Sequence, residues 1–132
     1  MFTLRLLKRA KGSSVANAMN RERFTELVRE AMDSLPQKFR ARIQNVALVV
    51  EDYPPDGADH GEDLLMGVFE GTALTEKSTW DVQAGPDRVV LYQKNIEAVC
   101  DTDDEIREEI RLTVLHEFGH YFGMNEEQLE DV

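Results

Sequence analysis

Near its C-terminus the chain carries a segment that restricts every fold it can adopt. Thr102-Asp103-Asp104-Glu105 has the form of a capping box, in which the threonine oxygen accepts from the third helical amide and the glutamate reaches back to the cap. A helix therefore starts here. Residues 105–111 are mostly charged and suit a wet surface, whereas Leu112-Thr113-Val114-Leu115, Phe118, Tyr121 and Phe122 require burial. Gly123 supplies the residue that can end the helix in a left-handed conformation. The buried half also holds His116, Glu117 and His120. Three ionisable side chains on the core-facing part of one helix are costly to bury unless something in the core compensates them, so the domain has to be built around this helix.

The pattern His116-Glu117-Phe118-Gly119-His120 suggests what compensates them. Histidines four residues apart stack on one helical face, one turn above the other, so both imidazoles can reach one zinc ion at about 2.0–2.1 Å. Glu117 is rotated about 100° from His116 around the helix. That puts it beside the metal without forcing it to ligate, where a general base can take a proton from a metal-activated water. The motif continues through Tyr121-Phe122-Gly123-Met124-Asn125-Glu126. Gly123 turns the chain and Glu126 comes back as the third ligand, with Glu127 and Glu130 as alternatives. At the chain's own residue frequencies, H-E-x-x-H arises by chance with a probability of roughly 0.8%, and the form extended by glycine and a third ligand in about one case in ten thousand. The competing reading, two histidines satisfied within the core and Glu117 paired to an arginine, has to bury the same three groups without a metal.

The rest of the chain supplies the frame. With 132 residues, 42% of them hydrophobic and 8% aromatic, it has room for one domain with a single core. Phe24, Leu27, Val28, Ala31, Met32 and Leu35 follow the spacing of an amphipathic helix that Asn20 can cap and Pro36 closes. A short helical stretch fits between Gln37 and Ile43. Val46-Ala47-Leu48-Val49-Val50 reads as a central strand buried on both faces, and Glu51 to Asp63, with its prolines, glycines and carboxylates, as a loop. Leu64–Phe69, interrupted by Gly67, is a second strand and Arg88–Gln93 a third, followed by a connector, Lys94 to Cys100, with room for a helical turn.

Charge narrows the partners. Fifteen Lys and Arg against twenty-six Asp and Glu leave a formal charge of −11, which opposes association with a phosphate backbone and argues against a nucleic-acid partner. The basic excess is N-terminal: residues 1–50 sum to +6, residues 51–100 to −8 and residues 101–132 to −9. Arg5, Lys8, Arg9 and Lys11 lead into Gly12-Ser13-Ser14, so residues 1–18 read as a basic N-terminal extension, flexible or loosely packed on a domain spanning residues 19–132. A basic arm docking on an acidic partner is the other reading. No apolar run approaches membrane-spanning length, and the single Cys100 closes no intramolecular disulfide, so a cytoplasmic protein without membrane contact is expected. His60 reads as a solvated loop histidine, Tyr92, Tyr121 and Met124 as packing residues, and Cys100 as a small buried side chain. Trp80 anchors its loop or lines a peptide groove.

From Asn20 to the C-terminus the chain resembles the small bacterial zincin-like metallopeptidases, described as minimal metzincins. The resemblance rests on the Phe24-to-Pro36 helix, on Leu65-Met66-Gly67-Val68-Phe69-Glu70-Gly71 with Leu74-Thr75-Glu76, on Asp87-Arg88-Val89-Val90-Leu91-Tyr92 with Asn95-Ile96-Glu97, and on the acidic run into His116. It implies a compact α+β zincin-like domain, a small sheet packed against an N-terminal helix and the C-terminal motif helix. It also implies a bound zinc with His116 and His120 as ligands and Glu117 as the catalytic carboxylate. Large metzincins usually have histidine, sometimes aspartate, where this chain has Glu126, and place a methionine-containing turn well downstream, whereas six residues follow Glu126 here. The expected activity is hydrolysis of peptide bonds in a peptide or protein substrate. Such a substrate would lie extended along an edge strand formed by Leu64–Phe69 or Arg88–Gln93. The alternatives are a non-catalytic metal-stabilised binding domain and hydrolysis of a non-peptide amide. Three protein ligands leave a coordination position open, which favours catalysis.

Overall fold

The computed structural model describes residues 2–9, 19–40, 46–59, 63–71 and 87–121, with the backbone alone for residues 2–9, 71, 120 and 121. Four strands, β1 (Phe2–Arg9), β2 (Val46–Glu51), β3 (Asp63–Gly71) and β4 (Asp87–Tyr92), form one sheet in the order β1-β3-β4-β2. β1 and β4 run antiparallel to β3, and β2 runs parallel to β4. The helices are α1 (Arg21–Asp33), α2 (Gln37–Arg40), α3 (Gln93–Ala98) and α4 (Asp103–Tyr121). The α+β architecture expected from the sequence is present, with α1 and α4 packed together on the sheet.

Period-two alternation divides the sheet. Val89 and Leu91 face the helices with Met66 and Phe69, where they meet Phe24, Leu27 and Val28 of α1 and Ile106, Ile110, Val114 and Phe118 of α4 in the main core. Leu65, Val68, Val90 and Tyr92 form a smaller cluster on the other face. Tyr92 is thereby a packing residue of the face opposite α4.

β3 breaks this alternation at one place. The pairing with β1 slips between Leu6, opposite Gly67, and Leu7, opposite Leu65, so that Met66 is the extra residue of a bulge. Met66 and Gly67 consequently both lie on the helical side, and only one of them can carry a large side chain there. A Cβ at position 67 would stand 2.9 Å from the Val90 carbonyl oxygen, 3.0 Å from Thr113 Cγ2 and 3.1 Å from Leu91 Cδ2. Gly67 is thus the seat on which α4 rests.

A buried polar cluster fastens the start of α1. Gln93 Nε2 donates to the Met19 carbonyl (2.6 Å) and to Glu97 Oε2 (3.1 Å), and Met19 N donates to the same carboxylate oxygen (2.9 Å). Arg21 donates to Gln93 Oε1 (2.6 Å) and the Val50 carbonyl (2.9 Å), and pairs with Asp52. Asn95 Nδ2 donates to the Leu65 carbonyl (2.9 Å) and Asp59 Oδ1 (3.1 Å), and Asp59 Oδ1 also accepts from Leu65 N (2.8 Å). The acidic segment after β2 is therefore held at Asp59, and Pro55 to Ala58 forms a turn with Gly57 at φ 85°.

Three expectations are corrected. Val46–Val50 is the edge of the described sheet, not its centre, and its residues are mostly half-buried with Ala47 exposed; a one-sided parallel ladder with β4 satisfies the β-branched run as well as a central position would. Neither Leu64–Phe69 nor Arg88–Gln93 is an edge, since β3 and β4 are the two inner strands and Gln93 begins α3. Finally, residues 2–9, expected within a loose extension, form β1 along the side of β3. Residues 10–18 lie outside the described residues.

Candidate metal centre

The helix that carries the motif is built as its sequence dictates. Thr102 Oγ1 accepts from Glu105 N at 3.1 Å, the N-cap bond expected from the sequence, and the Thr102 hydroxyl donates to Glu105 Oε2 at 3.4 Å, so the two side chains meet each other at the cap. Asp103, Asp104 and Glu105 put negative charge at the positive end of the helix dipole. Arg107, Glu108 and Arg111 face solvent, while Ile106, Ile110, Thr113, Val114 and Phe118 are buried; Leu112, expected in the core, is exposed beside Arg111, because it falls on the outer side of the helix. Arg107 reaches Glu30 of α1 at 3.7 Å. Arg111 forks onto Glu108 (2.6 and 3.0 Å), and this hydrogen bond holds the Glu108 carboxyl below the usual carboxylate range.

α4 continues without interruption from Asp103 to Tyr121 and so spans His116-Glu117-Phe118-Gly119-His120. His116 and His120 are one helical turn apart on one face of it. His116 is half-buried, and a separate cleft lined by Ser34, Leu35, Pro36, Arg111 and Leu115 opens between the end of α1 and α4. Glu117 has no solvent exposure. A carboxylate in that position needs compensation by a cation, a proton or donors, and a divalent ion held by the flanking imidazoles is the compensation that the donor chemistry of the motif fits. Thr113 and Glu109, one and two turns before Glu117, are buried too, so a polar stripe runs along the core-facing side of the helix above Gly67.

The side chain of His120 lies outside the described residues, as do His60, Trp80, Met124, Glu126, Glu127 and Glu130. Among the described residues no three His, Cys, Asp or Glu side chains are grouped to hold a metal. Cys100 is buried as expected, at the junction of α3 and α4. The sequence reading missed Gln93, Asn95 and Glu97, whose buried amides and carboxylate tie α3 to the start of α1 and to β3. They resemble ordinary connector residues, and no periodicity marks them. No described helix is long and apolar enough to cross a membrane.

Comparison with known proteins adds the family. A conserved hypothetical protein of known structure from Thermo thermophilus is 22% identical, with a TM-score of 0.54 over 79% of this chain and 94% of that one. It shares the fold. No curated protein matches. The zincin-like metallopeptidase family matches residues 43–132, which include β2 to α4 and the complete motif. A chain with H-E-x-x-H on an unbroken buried helix, matched over this span, belongs to the zincin-like metallopeptidase family.

Proposed function

We propose that the protein is a zinc-dependent peptidase whose centre is formed by His116, Glu117 and His120 of α4 and by Glu126, with Glu127 and Glu130 as the alternatives for the last ligand. The observation that carries this reading is Glu117, a fully buried carboxylate on a continuous helix between two histidines at ligand spacing. Bound zinc supplies Lewis acidity, lowering the pKa of water and polarising a carbonyl. Everything else falls to the chain. His116 and His120 orient the ion from one helical face. Glu117, excluded from bulk solvent, accepts the proton of the attacking water and returns it to the leaving amine nitrogen. Half-buried His116 keeps the centre within reach of solvent. The substrate is a peptide or protein, a choice supported by family membership and by a net charge of −11 that disfavours nucleic acid. A cytoplasmic location belongs to the same reading.

Glu117→Gln tests it. The amide keeps the shape of the side chain and removes the base, so zinc stays while hydrolysis of a peptide cleaved by the unaltered chain falls by about 10²–10⁴-fold. Undiminished hydrolysis at full zinc content contradicts the assignment, and loss of the metal makes Glu117 a ligand.

A further inference from the structure

One flank of the described sheet is open. β2 pairs in unbroken parallel register with β4 and with no other described strand. Which of its main-chain groups face outward follows from the end of the strand. The Asp52 carbonyl accepts from Lys94 N (3.0 Å) just beyond β4, and the period of two then turns the amides and carbonyls of Leu48 and Val50 toward β4 and those of Ala47, Val49 and Glu51 away from it. Sheet edges are ordinarily protected by charged side chains, proline or a bulge. Val46-Ala47-Leu48-Val49-Val50 has none of these. Val46, Leu48 and Val50 pack against the main core yet remain half-buried, as do Met19 just before α1 and Met32 in its last turn, and Ala47 is exposed. The core is incompletely closed along this flank.

We propose that the outer edge of β2 is the contact through which two copies of the chain associate, β2 pairing antiparallel with β2 of the second copy about a two-fold axis at Leu48. The register follows from the strand itself. An axis at Leu48 lays the apolar run over itself, Val46 opposite Val50 and Ala47 opposite Val49, and lets the outward amides and carbonyls of Ala47 and Val49 close as hydrogen-bonded pairs. It also sets the two Glu51 carboxylates at opposite ends of the ladder. An axis at Val49 would instead put Glu51 opposite Ala47 and Asp52 opposite Val46. Such self-complementarity is what a two-fold contact requires, and the uncharged run is where two chains of net charge −11 meet with least repulsion. In the joined sheet β1 lies at both outer ends, so α4, which packs on β3 and β1, keeps each motif on the side away from the contact. The inference goes beyond the peptidase reading and does not depend on it.

Sedimentation velocity on the full-length chain, over about a hundredfold range of concentration, reads the association. A monomer–dimer equilibrium is expected, strengthened by added salt because salt screens the repulsion between two acidic copies. Ala47→Pro removes an outward amide at a position where an edge strand tolerates proline and should weaken the dimer by about tenfold or more. Ala47→Thr keeps that amide and should leave the equilibrium unchanged. The register is read by oxidation in a Cys100→Ala background. Leu48→Cys puts two thiols across a non-hydrogen-bonded pair, about 4.5 Å apart at Cα and within disulfide reach, so a covalent dimer forms. Ala47→Cys leaves them diagonal, about 7–8 Å apart, and does not form one. A chain that stays monomeric over the whole range, a dimer indifferent to Ala47→Pro, a dimer that salt dissociates, or cross-linking at position 47 in preference to position 48 overturns the proposal. If circular dichroism shows that Ala47→Pro has lost its helical content, the two cysteine variants decide alone. Neither readout involves zinc or hydrolysis, so failure of the peptidase reading leaves this one standing, and the reverse.

Discussion

Gly67 shows how one residue governs the placement of the motif. The bulge turns two consecutive β3 residues to the helical side, and the absence of a side chain at the second lets Thr113 descend onto the sheet one turn before Glu117. Gly67→Val forces three more carbon atoms into that contact and is expected to destabilise the fold by about 1–3 kcal/mol, measured as a shift in the urea midpoint. A variant as stable as the unaltered chain would show that α4 is not seated there. Glu126 is the residue of the proposed centre carried by motif spacing alone. Its replacement by alanine should weaken zinc binding and speed amide exchange in residues 124–132, while Glu127→Ala and Glu130→Ala leave both unchanged. Retained affinity in Glu126→Ala with loss in either neighbour would move the ligand.

At the scale of elements, α4 is held by its start as much as by its core. Thr102→Ala removes the cap acceptor for Glu105 N and should cost about 0.5–2 kcal/mol, against an expectation of no change if the first turn frays in the unaltered chain. The Glu108–Arg111 pair makes a smaller, pH-dependent contribution. Because the folded-state pKa of Glu108 is lowered by the Arg111 hydrogen bond, its stabilisation is present above the unfolded carboxylate pKa and is lost as pH falls through the folded value. The pair is largely exposed, so screening limits it to about 0.5 kcal/mol or less. Glu108→Gln should therefore differ slightly from the unaltered chain at pH 7, and the difference should shrink as pH falls through the folded-state pKa; a difference that stays constant into acid would assign the effect to packing. These helices were legible because their signals are local: Asn20 accepts from Arg23 N at 2.7 Å as an N-cap, and the apolar stripe of α1 is buried as spaced. The role of Gly67 was not legible, since a strand glycine announces a bulge or a close approach without saying which helix approaches.

At the scale of the molecule, strand order was the hidden quantity. An apolar run such as Val46–Val50 is compatible with a centre or an edge, and what decides is that it pairs with β4 alone among the described strands, a partner distant in sequence. Distance in sequence also concealed the cluster in which Met19, Arg21, Gln93 and Glu97 join α1 to α3. The motif needed no such information, because helical spacing alone brings its histidines together. That makes the metal the most direct test of the account. Elemental analysis of the purified protein should find one zinc per chain, and His116→Ala and His120→Ala, each shown by circular dichroism to retain its helical content, should both lose it. Retention of one zinc per chain by both variants would contradict the assignment of the centre to α4.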